Sequence, residues 1–126
     1  SKNPAGFNQA ITTVNADSRK KDVILAINDG AGDGRDISWI WDVNFQKLRN
    51  ENTNTLSVTG VRRYDTALRF KYDDTEVDVL TDSMKDAILK ALDTDSEIIY
   101  VMVNYTAMYS TEAILKELER GYKNES

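Results

Sequence analysis

The residues best equipped for chemistry crowd into nine positions, Asn28-Asp29-Gly30-Ala31-Gly32-Asp33-Gly34-Arg35-Asp36, which hold three Asp, three Gly, one Asn and one Arg. Carboxylates so placed can exchange a proton, orient a neighbouring base or pair with a cation. Glycine permits positive φ and close backbone approach, so the stretch reads as a shaped loop. Asp29, Asp33 and Asp36 then form a polar site that positions a substrate or a partner's side chain. The composition equally suits a solvated turn in which Asp and Gly supply only turn geometry. Metal binding is the weaker idea, because the alternating ligands and terminal Glu of a calcium loop are missing.

Trp39 and Trp41, the only tryptophans, follow at once, with Asp42 behind them. Two residues apart on a helix, they point in different directions, so one of them is free to anchor another chain while both-in-core remains the competing reading. Asp42 can cap, pair with an arginine, or serve the same site as Asp36. Arg62 and Arg63 stand after Gly60, where a guanidinium can grip a carboxylate with two bonds or simply face solvent with Asp65 as counter-charge.

Two absences exclude more than these presences establish. The chain of 126 residues has no Cys and no His. Disulfides, thiol redox chemistry, Cys-rich zinc sites and any nucleophile served by a histidine are impossible within it. No metal site is expected in this chain. No Walker A sequence occurs, and Gly30-Ala31-Gly32-Asp33-Gly34-Arg35 fails GxGxxG at its last position. Lys and Arg number 16 against 21 Asp and Glu, a net charge of −5, which argues against a nucleic-acid or anionic-membrane surface. No apolar run nears the roughly 20 residues that span a bilayer, and we read no signal-peptide pattern. A cytoplasmic location suits the lack of Cys.

These side chains need elements to position them. At 40% apolar and 29% charged residues, the composition is that of a single globular domain over 1–126. Asn3-Pro4 opens a helix over about 4–16, since Asn caps and Pro suits the first helical position. Val23 to Ile27 is apolar on both faces, as a buried parallel strand is. A helix or irregular helical turn is expected over about 37–48, with Ile37, Ile40, Trp41, Phe45 and Leu48 on one face. Strands follow at 55–59, 77–80 and 98–103. Between them lie a helix over 62–71, with Tyr64, Ala67 and Leu68 inward, and one capped by Thr81 or Asp82 and striped by Met84, Ala87, Ile88, Ala91 and Leu92. After a connection at 106–110, Ser110 or Thr111 is expected to cap a last helix packed through Ala113, Ile114 and Leu118. This alternation implies an α/β fold, a Rossmann-like, mostly parallel sheet with helices on both faces. Ligands then gather at the strands' carboxyl ends, at 28–36, 59–63 and 104–110. A chain that opens on a helix cap leads us to expect an upstream strand or domain.

The strings Lys2-Asn3-Pro4-Ala5-Gly6-Phe7-Asn8-Gln9, Ile27-Asn28-Asp29, Asp33-Gly34-Arg35-Asp36-Ile37-Ser38-Trp39-Ile40-Trp41-Asp42 and Thr59-Gly60-Val61-Arg62-Arg63-Tyr64-Asp65 resemble the C-terminal domain of Mur ligases. The likeness is greatest to the ligase-like subunits of lipid II isoglutaminyl synthases. It covers almost the whole chain, and the Asp33–Asp42 string is its most specific part. The resemblance implies an upstream domain that binds ATP and Mg²⁺, often with a structural Zn²⁺ ribbon, and that activates the α-carboxyl of D-glutamate in lipid II as an acyl phosphate. It implies a separate glutaminase subunit with a Cys–His pair that supplies ammonia. This domain alone is then catalytically silent and needs no cofactor. The resemblance makes Asp36, then Asp42, the carboxylate that supports that Cys–His pair, with Asp29, Asp33 and Arg62 at the cleft and Trp39 or Trp41 at the partner interface. Two rivals stand beside it: a stand-alone flavodoxin-like protein-binding module, and a small nucleotide or metal binder acting by itself.

Overall fold

Lys21–Ile27 forms β1, buried along all seven residues, and everything else is arranged around it. In the computed structural model, which describes residues 4–28, 38–105 and 108–116, β2 (Thr53–Thr59) and β4 (Ile98–Tyr105) run parallel to β1 on either side. The two-residue β3 (Val79–Leu80) lies parallel outside β2, and β5 (Met108–Leu115) runs antiparallel outside β4, giving the order β3-β2-β1-β4-β5. Apolar side chains on both faces of β1 are what a central parallel strand requires.

Helices cover both faces. On one lie α1 (Pro4–Ala16), two 3₁₀ turns (Ser38–Asp42 and Phe45–Leu48) and α2 (Arg63–Tyr72). There Val23, Leu25 and Ile27 of β1 and Leu56 and Val58 of β2 meet Phe7, Ile11, Val14, Trp39, Phe45 and Phe70. Phe7 stacks on Trp39 at 5.5 Å and meets Phe45 edge-on at 5.8 Å. Phe7, Ile11 and Val14 sit at helical spacing and are fully buried, each contributing about 1.5–3 kcal/mol, which holds α1 to the sheet. On the other face α3 (Met84–Leu92) packs Ala87 and Ala91 on Ile24, Ala26, Ile99, Val101 and Val103.

The structure corrects three local expectations. Residues 108–115 are a strand and not a helix, because eight residues of β4 offer a complete antiparallel ladder from Ile98↔Leu115 to Tyr105↔Met108. Leu118 lies outside the described residues. The helix or irregular helical turn expected over 37–48 takes its irregular form, two short 3₁₀ turns. Helix α3 is capped by Ser83, whose hydroxyl accepts from the Asp86 N–H at 3.1 Å, and not by Thr81 or Asp82. Helix α2 turns Thr66, Arg69 and Phe70 inward and leaves Tyr64 and Leu68 outside.

A buried ionic cluster ties the amino end of the sheet to the end of β5. Lys116 and Asp22, both without solvent exposure, approach to 3.3 Å. The Lys116 ammonium also donates to the Ala91 and Thr94 carbonyls at 2.5 and 2.8 Å. Asp22 accepts from Thr55 at 2.8 Å, from Thr94 at 2.6 Å, and from Ser96. Saturated hydrogen bonding is what makes two charges tolerable inside a protein.

Candidate functional site

The connection after β1 leads to β2 on one side of it, while β4 lies on the other. The crevice between the carboxyl ends of β1 and β4 is therefore the topological switch point, where α/β sheets bind ligands. Asn28 ends β1 there and ties the neighbours together. Its N–H donates to the Asn104 carbonyl at 3.3 Å, and its Oδ1 accepts from the Val61 N–H at 3.0 Å. The Arg62 N–H donates to the Ile27 carbonyl at 2.9 Å.

Gly60 makes that closeness attainable. Its φ is +99°, and a Cβ there would stand 2.5 Å from the Ile27 oxygen and 2.9 Å from Asn28 Oδ1. Only glycine takes this backbone without strain and lets β2 turn so tightly over the end of β1. The turn delivers Arg62. Its side chain is mostly buried and lies 3.6 Å from Asp65, and its Nε is buried with no hydrogen-bond partner among the described residues. Asn104 Oδ1 is likewise buried and unpaired. Arg62 thus has Asp65 as its counter-charge but does not face solvent. It and Asn104 bring one donor and one acceptor to the same end of the sheet, and Asn104 opens the polar stretch 104–110 expected there, although the sequence did not single it out by itself.

The tryptophans part company. Trp39 is 7% exposed and belongs to the core, so it is no surface anchor; burying the larger share of an indole on Phe7 explains the placement. Trp41 is 43% exposed and meets Tyr72 of α2 edge-on at 5.1 Å. Asp42 is exposed beside it, and its carboxylate makes no hydrogen bond or ion pair with any described residue. The backbone here is pinned from two sides. Asn8 of α1 donates to the Asp42 carbonyl at 3.2 Å and accepts from the Asn44 N–H at 2.8 Å. Arg69 of α2 donates to the carbonyls of Ile40 and Val43 at 3.2 and 3.0 Å, pairs with Asp73, and lies 5.2 Å from the Trp41 ring. Nothing in the sequence marked Arg69 as a buried clamp. Asp29, Asp33, Asp36 and Arg35 lie outside the described residues.

A parallel sheet with one antiparallel edge, helices on both faces and polar groups at a switch point defines an α/β domain of the Mur ligase C-terminal type. Residues 1–108 match the family described as MurT ligase C-terminal, and the chain belongs to that family. Among curated relatives, the chain is 32% identical over 123 residues to the lipid II isoglutaminyl synthase (glutamine-hydrolyzing) subunit MurT of Staphylococcus aureus, covering 97% of this chain and 27% of that one. It is 28% identical over 116 residues to the subunit of the same name from Streptococcus pneumoniae, covering 90% and 26%. The chain thus spans about a quarter of the length of these relatives. No helix among the described residues is long and apolar enough to cross a membrane.

Proposed function

We propose that this chain serves as the C-terminal domain of a ligase subunit that amidates the D-glutamate α-carboxyl of lipid II to D-isoglutamine during peptidoglycan synthesis in the cytoplasm. A glutaminase subunit supplies the ammonia and docks on this domain. ATP, Mg²⁺ and any structural Zn²⁺ are held by other parts of the protein. This chain carries no phosphate-binding GxxxxGK[ST] sequence and no Cys or His. The domain alone is inactive.

The observation that carries this reading is Asp42: an exposed carboxylate engaged by no described residue, beside an exposed tryptophan, on a backbone held from both flanks. A Cys–His pair gains from a third group that orients the imidazole and stabilises its cation. A domain without His or Cys can lend that group only to a Cys–His pair outside itself, and a preset backbone lowers the cost of doing so. Asp36 is our first choice for this role and Asp42 the second, with Asp29, Asp33 and Arg62 lining the cleft. The test is Asp36→Asn and Asp42→Asn, each in the intact complex. We expect one of them to lower glutaminase turnover on the order of 10²-fold while amidation from free ammonia persists. Unchanged turnover in both variants rejects the carboxylate role.

A further inference from the structure

Two buried polar atoms at the switch point have nothing to bond among the described residues. Asn104 is 4% exposed, and its Oδ1 has no hydrogen-bond partner. The Arg62 Nε is buried and equally unpaired, because the ion pair with Asp65 runs through Nη1, at 3.6 Å. The two residues meet at one strand end. Asn104 stands in register with Ile27, whose carbonyl takes the Arg62 N–H. Strand alternation puts Asn104 on the face of Tyr100 and Met102, the face covered by α2, whose N-cap is Arg62. The Asp65 side chain beside them is 45% exposed, so the pair lies just beneath the surface. Folded chains leave very few buried polar groups unpaired. A donor and an acceptor left over together, at the place where α/β sheets bind ligands, mark a site that a ligand completes.

We propose that Arg62 and Asn104 form a receptor for a primary carboxamide. The idea deepens the cleft role proposed above for Arg62, and it rests on that reading only for where the carboxamide comes from. The Arg62 Nε–H requires an acceptor and the Asn104 Oδ1 requires a donor. A primary carboxamide carries both on one edge. Its oxygen accepts from Nε, and the N–H on the same side as that oxygen donates to Oδ1. A carboxylate brings acceptors and no donor, so it pairs with the guanidinium but sets oxygen against Oδ1. An ammonium ion brings donors only, and the guanidinium repels it. The N–H and C=O of a trans peptide group point in opposite directions, so one such group cannot serve both atoms along one edge. The pair therefore separates an amide from the acid of the same shape, which is the difference that amidation creates. Discrimination of this kind is strong because the wrong ligand leaves a buried polar group unpaired. Two carboxamides suit the proposed function: the α-carboxamide of D-isoglutamine and the side chain of glutamine.

The test is an NMR titration of the full-length ligase subunit that follows the backbone amides of Asn28, Val61, Arg62 and Asn104. The probes are D-isoglutamine, L-glutamine and D-glutamate. We expect saturable shifts with a carboxamide, and D-glutamate binding at least about tenfold weaker. Tighter binding of D-isoglutamine names the product as the source, and tighter binding of L-glutamine names the ammonia donor; both support the receptor. Asn104→Leu and Arg62→Gln should each weaken carboxamide binding about tenfold. Asn104→Leu removes an acceptor that no described residue uses, so it should melt no lower than wild type. D-glutamate binding as tightly as the carboxamides overturns the proposal. So does the lack of saturable shifts with either carboxamide, or carboxamide binding that survives both substitutions. Lower melting temperatures in both variants show the pair holding the fold together, through a shared water for example, and overturn it too. A wild-type complex that fails to amidate lipid II rejects the underlying function and leaves the receptor standing.

Discussion

Gly60 is the residue on which the carboxyl end of the sheet is built. A methyl group there collides with the backbone of Ile27 and with Asn28 Oδ1 at a φ that L residues avoid. Gly60→Ala is expected to cost about 2–4 kcal/mol in a denaturant melt, from left-handed strain plus overpacking, and to displace Arg62 with the turn. Asp17 gives a pH-dependent counterpart at the far end of the sheet. The Arg19 guanidinium, bonded to it at 2.6 Å, holds its carboxyl well below the usual carboxylate range; partial burial opposes this, and the Tyr100 hydroxyl, donating at 2.7 Å, assists it. A folded-state value below the unfolded one makes the stabilisation complete above about pH 4 and removes it as the pH falls further. Asp17→Asn should therefore be less stable than wild type at pH 7, and the gap should shrink in melts at pH 3. Type and position were enough to single out Asp42, Trp41 and Arg62 as candidates, and Asn104 fell within the polar stretch 104–110 expected at the strands' carboxyl ends. Arg69 was not legible, because an arginine reads as surface until the carbonyls of Ile40 and Val43 are seen to meet it.

At the scale of elements, periodicity succeeded wherever an element packs on one neighbour through one face. Pro4–Ala16 and Met84–Leu92 are of this kind, as is the doubly buried β1. It failed where long-range pairing decided the outcome. The run Ser110-Thr111-Glu112 with apolar residues beyond imitates a capped helix, yet pairing with β4 outweighs local propensity. It failed again at α2, whose outward stripe imitates a core face. There the buried polar groups are the cause: Arg69 must point inward to satisfy the two 3₁₀ turns. Arg69→Met should thus loosen α2 and the Trp41–Asp42 segment together, at about 2–3 kcal/mol for carbonyls and a carboxylate left without their charged donor. Hydrogen exchange of residues 38–48 would show the coupling, since a purely local defect in α2 leaves those amides protected. The Lys116–Asp22 pair joins β5 to the rest in the same manner. Lys116→Met strands a buried carboxylate and should cost about 3–5 kcal/mol by thermal or denaturant unfolding.

For the molecule as a whole, the α/β class and its parallel sheet followed from alternating elements, and the Mur ligase likeness from the Asp33–Asp42 string. Sheet order did not, because strands that are apolar throughout carry no mark of their neighbours. The physical division of labour is simple. The sheet's carboxyl end offers Asn28, Arg62 and Asn104 to one side, while α2 and the clamped 3₁₀ turn offer an apolar stripe and, along the flank, a carboxylate that no described residue engages. A domain with no His or Cys that lends an acid to chemistry performed elsewhere should change its partner's activity on contact. The most direct measurement is glutamine hydrolysis by the purified glutaminase subunit, alone and with the full-length ligase subunit, without ATP or lipid II. We predict that turnover rises on adding the ligase subunit and saturates with their association. A complex that forms with turnover no higher than that of the glutaminase alone would contradict it.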